Sequence, residues 1–146
     1  MLWPSETMIY AVAFNAVLLA CCGFAGWFGG RDERIGAALM FAASISTTAL
    51  VVALGSYGGN SVLAIDLAML AALTALALRS DRYWPLAAAG FHCVGVATHA
   101  ALRADTAIES LAYAHALGLW SYLTLCALAA GTWEAMRQKS TRSWPT

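Results

Sequence analysis

Met8–Phe28 reads MIYAVAFNAVLLACCGFAGWF, and Gly29–Arg34, GGRDER, follows it. The first stretch holds no charged residue; the second holds four charged residues in a row. A helix needs about 20 mostly apolar residues to cross about 30 Å of hydrocarbon. The run is long enough to span, and the short charged break turns the chain back. This alternation recurs down the chain. Further apolar runs cover Ile35–Leu54, Ser61–Leu78, Trp84–Leu102 and Leu111–Trp133. The breaks between them are Gly55–Asn60, Arg79–Tyr83 and Arg103–Ser110, too short for a soluble domain. The polar stretch Glu134–Thr146 reads as a loose tail.

Composition agrees. The 146 residues are 61% hydrophobic and 11% charged, with a mean hydropathy of +0.68. A soluble domain carries about 25% charged residues. Formal net charge is zero, so no bulk field favours nucleic acid as a partner. The predicted fold class is an all-α integral membrane bundle of five transmembrane helices, forming a single domain over 1–146.

The basic residues orient it. Counting by side, Arg31, Arg34, Arg79, Arg82, Arg137, Lys139 and Arg142 fall together, leaving Arg103 opposite. Positive charge stays cytoplasmic, so the expectation is N-terminus out, C-terminus in. Trp and Tyr favour the interfaces. Trp27, Tyr83, Trp84 and Trp133 mark one level, and Trp3, Tyr10, Tyr57 and Tyr113 the other. Trp120 and Tyr122 fall near mid-membrane, where their polar tips call for other helices.

Local signals fit five helices. Pro85 suits a first turn, with Ser80 or Asp81 as a cap. Gly55, Gly58 and Gly59 end the second helix. Gly26 and Gly30, and Ala64, Ala68 and Ala72, are spaced for close helix approach. Cys21, Cys22, Cys93 and Cys126 read as packing residues inside apolar runs. Met1–Thr7 lacks the basic residues that open a signal peptide.

The chemistry rests on a few polar residues in the spans. Without Asp66 the third run shrinks to Leu67–Leu78, about 18 Å and too short to cross. Asp66 therefore lies in the membrane or at its outer edge, either hydrated or paired with a histidine. His92 and His99, seven apart, share one helix face with Pro85, Ala88 and Gly95. His115 on the fifth helix shares a face with Gly118, Tyr122 and Cys126. Antiparallel neighbours bring Asp66, His99 and His115 to one depth, with His92 and Tyr122 beneath. Asp66, His92, His99, His115 and Tyr122 are thus the candidate ligand or proton site. Asp66, His99 and His115 are the candidate metal set.

Three readings follow. The favoured one is hydrogen bonding between helices, in a small subunit or accessory protein acting through helix contacts. Its partners would be the lipid bilayer and copies of itself or a larger membrane complex. The second is a redox protein holding a divalent metal or haem b. The third is a proton-coupled small carrier acting as an oligomer. Asn15, Ser44, Ser46, Thr47 and Thr48 read as bonding back to their own helices. Asp32, Glu33 and Asp81 read as exposed partners of the nearby arginines. The chain lacks P-loop, HExxH, GxSxG and Cys-His zinc patterns, so no enzyme is expected.

Arg82-Tyr83-Trp84-Pro85-Leu86, Gly90-Phe91-His92, Thr98-His99 and Gly118-Leu119-Trp120-Ser121-Tyr122 resemble a group of short uncharacterised bacterial polytopic membrane proteins. The resemblance covers the last two spans. It implies a bacterial inner-membrane setting and no activity.

Overall fold

The computed structural model describes residues 5–54, 60–104 and 110–142. These form five helices: α1 (Ser5–Phe28), α2 (Arg31–Leu54), α3 (Asn60–Ala77), α4 (Trp84–Ala104) and α5 (Ser110–Arg142). Among the described residues there is no strand. The predicted turn at Gly55, Gly58 and Gly59 and the predicted interfacial aromatics Trp3 and Tyr57 lie outside them.

Four of the helices, α1, α2, α3 and α5, are long and apolar enough to cross a membrane. The chain thus has the build of a multi-pass membrane protein. α4 is as long as a span and carries His92, His99 and an N-terminal Trp-Pro pair. His92 and His99 turn toward Asp66 of α3, while Leu86 and Val94 face outward. The other helices also turn large apolar side chains out, such as Val12, Val52, Leu67 and Leu119.

Each helix packs on the next, and α1 packs on α5, so the five close into a ring. The ring is solid at one end and hollow at the other. At the solid end, Ala25, Ala37, Met40, Leu73, Leu76, Trp84, Ala88 and Leu128 form one apolar core. Trp84 is the centrepiece, with only 5% of its surface exposed. It was expected among the interfacial aromatics. Trp27, Tyr83 and Trp133 do lie exposed, but Trp84 turns into the bundle.

Two glycines admit it. A Cβ at Gly36 on α2 would overlap the far edge of the indole, and one at Gly131 on α5 would sit 2.8 Å from Trp84 Cβ. The close approaches therefore occur at Gly36 and Gly131. The predicted small-residue positions Gly26, Ala64 and Ala68 lie on exposed faces instead.

Glu33 completes this end, and it corrects the expectation of an exposed ion pair. It is 1% exposed. Its Oε1 accepts the Trp84 indole N–H at 3.0 Å. Its Oε2 accepts the Gly30 backbone N–H at 2.7 Å. The second bond is the returning half of a capping box at the start of α2, which satisfies an orphan donor. Nearby, Ser80 Oγ donates to Asp32 Oδ2 at 2.5 Å and accepts the Arg82 N–H at 3.2 Å. Ser80 thus ties the α3–α4 turn to α2 rather than capping α4. Pro85 is buried in the first turn of α4, as its ring geometry suits.

The expected loose tail is helix as far as Arg142. Glu134, Ala135, Met136, Arg137, Gln138 and Lys139 are all good helix formers, so polarity did not end the helix. Arg137 stacks over Trp133 at 5.5 Å. Lys139 Nζ donates to the Phe28 and Gly29 carbonyls, each at 3.1 Å. It thereby satisfies carbonyls left open where α1 ends.

Candidate functional site

The hollow end holds a cavity of about 330 Å³. All five helices line it. α1 contributes Tyr10, Phe14 and Asn15, and α2 contributes Ser44, Thr47 and Thr48. α3 contributes Asp66, α4 contributes His92 and Gly95, and α5 contributes His115, Trp120 and Ser121. Leu18, Met40, Val62, Met69 and Leu125 make the remaining wall largely apolar.

Asp66 is the polar centre. Its Oδ2 lies 2.7 Å from His99 Nε2, with His99 almost wholly buried and the Asp66 side chain 21% exposed. The expected carboxylate–histidine pair is therefore formed, between α3 and α4. A second histidine holds the same residue by its backbone. His92 Nε2 lies 3.0 Å from the Asp66 carbonyl oxygen. A carbonyl only accepts, so this ring nitrogen carries the proton. The seven-residue spacing of His92 and His99 thus sets two imidazoles on one acid, one at its main chain and one at its side chain. The predicted α4 stripe is the inward face: Pro85, Ala88, Gly95 and His99 are buried.

His115 does not join them. It packs edge-on against Tyr10 of α1, with ring centroids 5.8 Å apart. The expected set of Asp66, His99 and His115 is not assembled. Among the described residues no three His, Cys, Asp or Glu side chains converge as metal ligands. Equal depth was right, but α5 turns this face toward α1 as well as α4, and His115 went with it. Tyr122 follows the same face, edge-on to Phe14 at 5.5 Å. It does not line the cavity. Trp120 does, and it also backs against Gly95 of α4, where an added Cβ would lie 3.6 Å from Trp120 Cβ. Both mid-span aromatics therefore face other helices, as expected.

Some cavity residues were expected only to pack. Asn15 does bond to its own helix, donating to the Ala11 carbonyl at 2.8 Å, yet it also lines the chamber. Ser44, Thr47 and Thr48 follow three- and four-residue spacing and so share a wall, while Ser46 faces out. That periodicity was the available signal. Ser121 and Thr124 bond back to Leu117 and Trp120 at 2.9 Å each. Cys22 Sγ reaches the Ala37 carbonyl at 3.5 Å, a packing role, but Cys93 and Cys126 lie exposed.

Chemically, the chamber offers one acid that shares a proton with a buried imidazole, several neutral polar groups, and an apolar surround. Such a wall suits a small ligand with an apolar body and a polar or cationic end. No known family model, curated protein or solved structure matches this chain.

Proposed function

We propose that this chain is a five-span bacterial inner-membrane protein, N-terminus out and C-terminus in, that binds a small cationic solute in its bundle and exchanges it for a proton. The supporting observation is the cavity with Asp66 in its wall and His99 behind it. An ionisable residue inside a membrane bundle is costly and marks a functional path by default. Here the acid faces a cavity large enough for a ligand, at the lower end of the about 300–1,000 Å³ that binding pockets occupy. Residues from all five helices of one chain line the cavity.

The orientation rests on the seven-to-one placement of basic residues. It places the hollow end toward the outside and the Trp84 plug toward the cytoplasm. Solute enters from outside, and the proton held between Asp66 and His99 leaves to water as the cationic end arrives. The inward turn of the α4 histidines supports counting α4 as the fifth span.

A subunit role through helix contacts is the second reading. It is favoured by Gly23, Gly26 and Gly90, where an added Cβ meets open space and another helix can approach.

The test is proton release in lightly buffered detergent, using a panel of small organic amines and neutral amphiphiles. Wild-type protein is expected to release a proton on binding an amine, and Asp66→Asn none. In liposomes, Asp66→Asn is expected to abolish pH-dependent uptake of the same amine. Unchanged release and uptake in Asp66→Asn would remove the carrier reading. Reporter tags at both termini found in one compartment would remove the five-span topology.

A further inference from the structure

A second recess lies at the solid end, outside the ring, in the groove between α3 and α4. Its walls include Leu70, Leu78, Leu86 and Cys93, and its mouth includes Arg82 and Tyr83. Leu78 and Leu86 are 83% and 66% exposed, so the groove opens onto the apolar flank of the molecule. Tyr83, 84% exposed, stands at the mouth, where a tyrosine marks headgroup level.

The Arg82 guanidinium has an unmet need there. Its Nη1 is buried and has no hydrogen-bond partner among the described residues. The neighbouring acids do not supply one. Asp32 takes the Ser80 hydroxyl, and Asp81, also at the mouth, is exposed and forms no ion pair with Arg82. A buried charged donor left unmet is strongly unfavourable. Arginine meets a phosphate through a planar fork, and a basic recess between spanning helices is suited to an acidic headgroup. The apolar walls running down from Arg82 select a ligand with a chain attached over a free anion.

We propose that this groove is a binding site for an acidic phospholipid. The Arg82 side chain turns at the mouth so that its guanidinium donates to the phosphate, which relieves the buried Nη1, and an acyl chain lies along Leu70, Leu78 and Leu86. Nothing in it depends on the solute cavity or on which way the chain faces.

The experiment is native mass spectrometry of the purified protein from micelles holding equal dioleoyl phosphatidylglycerol and phosphatidylcholine. Wild type is expected to retain phosphatidylglycerol about fivefold over phosphatidylcholine, the preference one guanidinium supplies at a membrane surface. Arg82→Gln is expected to bring the ratio to parity. Arg79→Gln, exposed at the same level, leaves it unchanged. Gly90→Leu fills the groove from a position where added atoms meet open space, so it keeps the fold. It is expected to lose the bound lipid with Arg82 intact, and it carries the test if Arg82→Gln does not fold. Equal retention of the two lipids by wild type, or a full preference in either Arg82→Gln or Gly90→Leu, overturns the proposal. So does displacement of the lipid by millimolar glycerol 3-phosphate, which would make it a free-anion site.

Discussion

Trp84→Ala is expected to destabilise the protein by about 4 kcal/mol, the usual range for emptying a large aromatic from a core. The indole fills the space between α2 and α5, and nothing nearby is free to replace it. Its removal also leaves the Glu33 carboxylate buried with one partner fewer. The mechanism makes a sharper claim about Gly131. In the wild type, Gly131→Ala forces a Cβ onto the rigid stem of Trp84. That overpacking costs about 2–3 kcal/mol, at the upper part of the usual range. In a Trp84→Ala background the obstacle is gone. There the same substitution gains helix propensity, up to about 1 kcal/mol. Gly131→Ala therefore changes sign with the residue at position 84. Reversible unfolding in mixed dodecyl sulfate micelles reads all four proteins. Equal effects of Gly131→Ala in both backgrounds would show that the indole does not occupy that space.

His99→Ala is expected to cost about 3 kcal/mol, as for breaking a buried pair by removing one partner. The Asp66 carboxylate would then face the apolar wall without its imidazole. Asp66→Ala should be nearly as harmful, because it removes the carboxylate that the buried His99 Nε2 meets. The double variant is expected to cost less than the sum of the two by about 1–3 kcal/mol, since each single change already destroys the pair. His92→Ala is the contrast. It removes a bond to a backbone carbonyl, so the expected cost is about 0.6 kcal/mol, typical of polar contacts between membrane helices. The same micelle titration checks it. Strict additivity of Asp66→Ala and His99→Ala would deny the pair, and a His92→Ala effect as large as His99→Ala would invert their assigned roles.

Some of this was readable in the residues. Except at the end of α5, the helix ends fall within a few positions of the run boundaries because charge and glycine interrupt the hydrophobic runs. Asp66 met His99 because adjacent antiparallel helices place residues of equal depth side by side. His115 shared that depth, but depth does not specify rotation about the helix axis, and the ring turned it to Tyr10. Glu33 was misread for a different reason. In a charged break, hydropathy treats every acid as solvated. The Gly30-x-x-Glu33 spacing of a capping box was the clue, and it needed Trp84 from fifty-one positions away to complete its meaning. The tail was misread because polarity was taken for disorder, although its residues favour helix. In the groove, Arg82 counted only as one more positive charge; its unmet donor became visible once the walls around it were placed.

The ring closes through α1 and α5, which stand at opposite ends of the five-helix order. During synthesis, α3 and α4 are present together well before α5 leaves the ribosome. The acid and its two imidazoles can therefore join early, while the wall contributed by Trp120 and Ser121 does not yet exist. A nascent chain stalled after α4 would carry the pair open to lipid and water, with no chamber around it. The last wall of the chamber thus arrives only with α5, and any factor that holds α1 until α5 arrives would govern the yield of competent molecules.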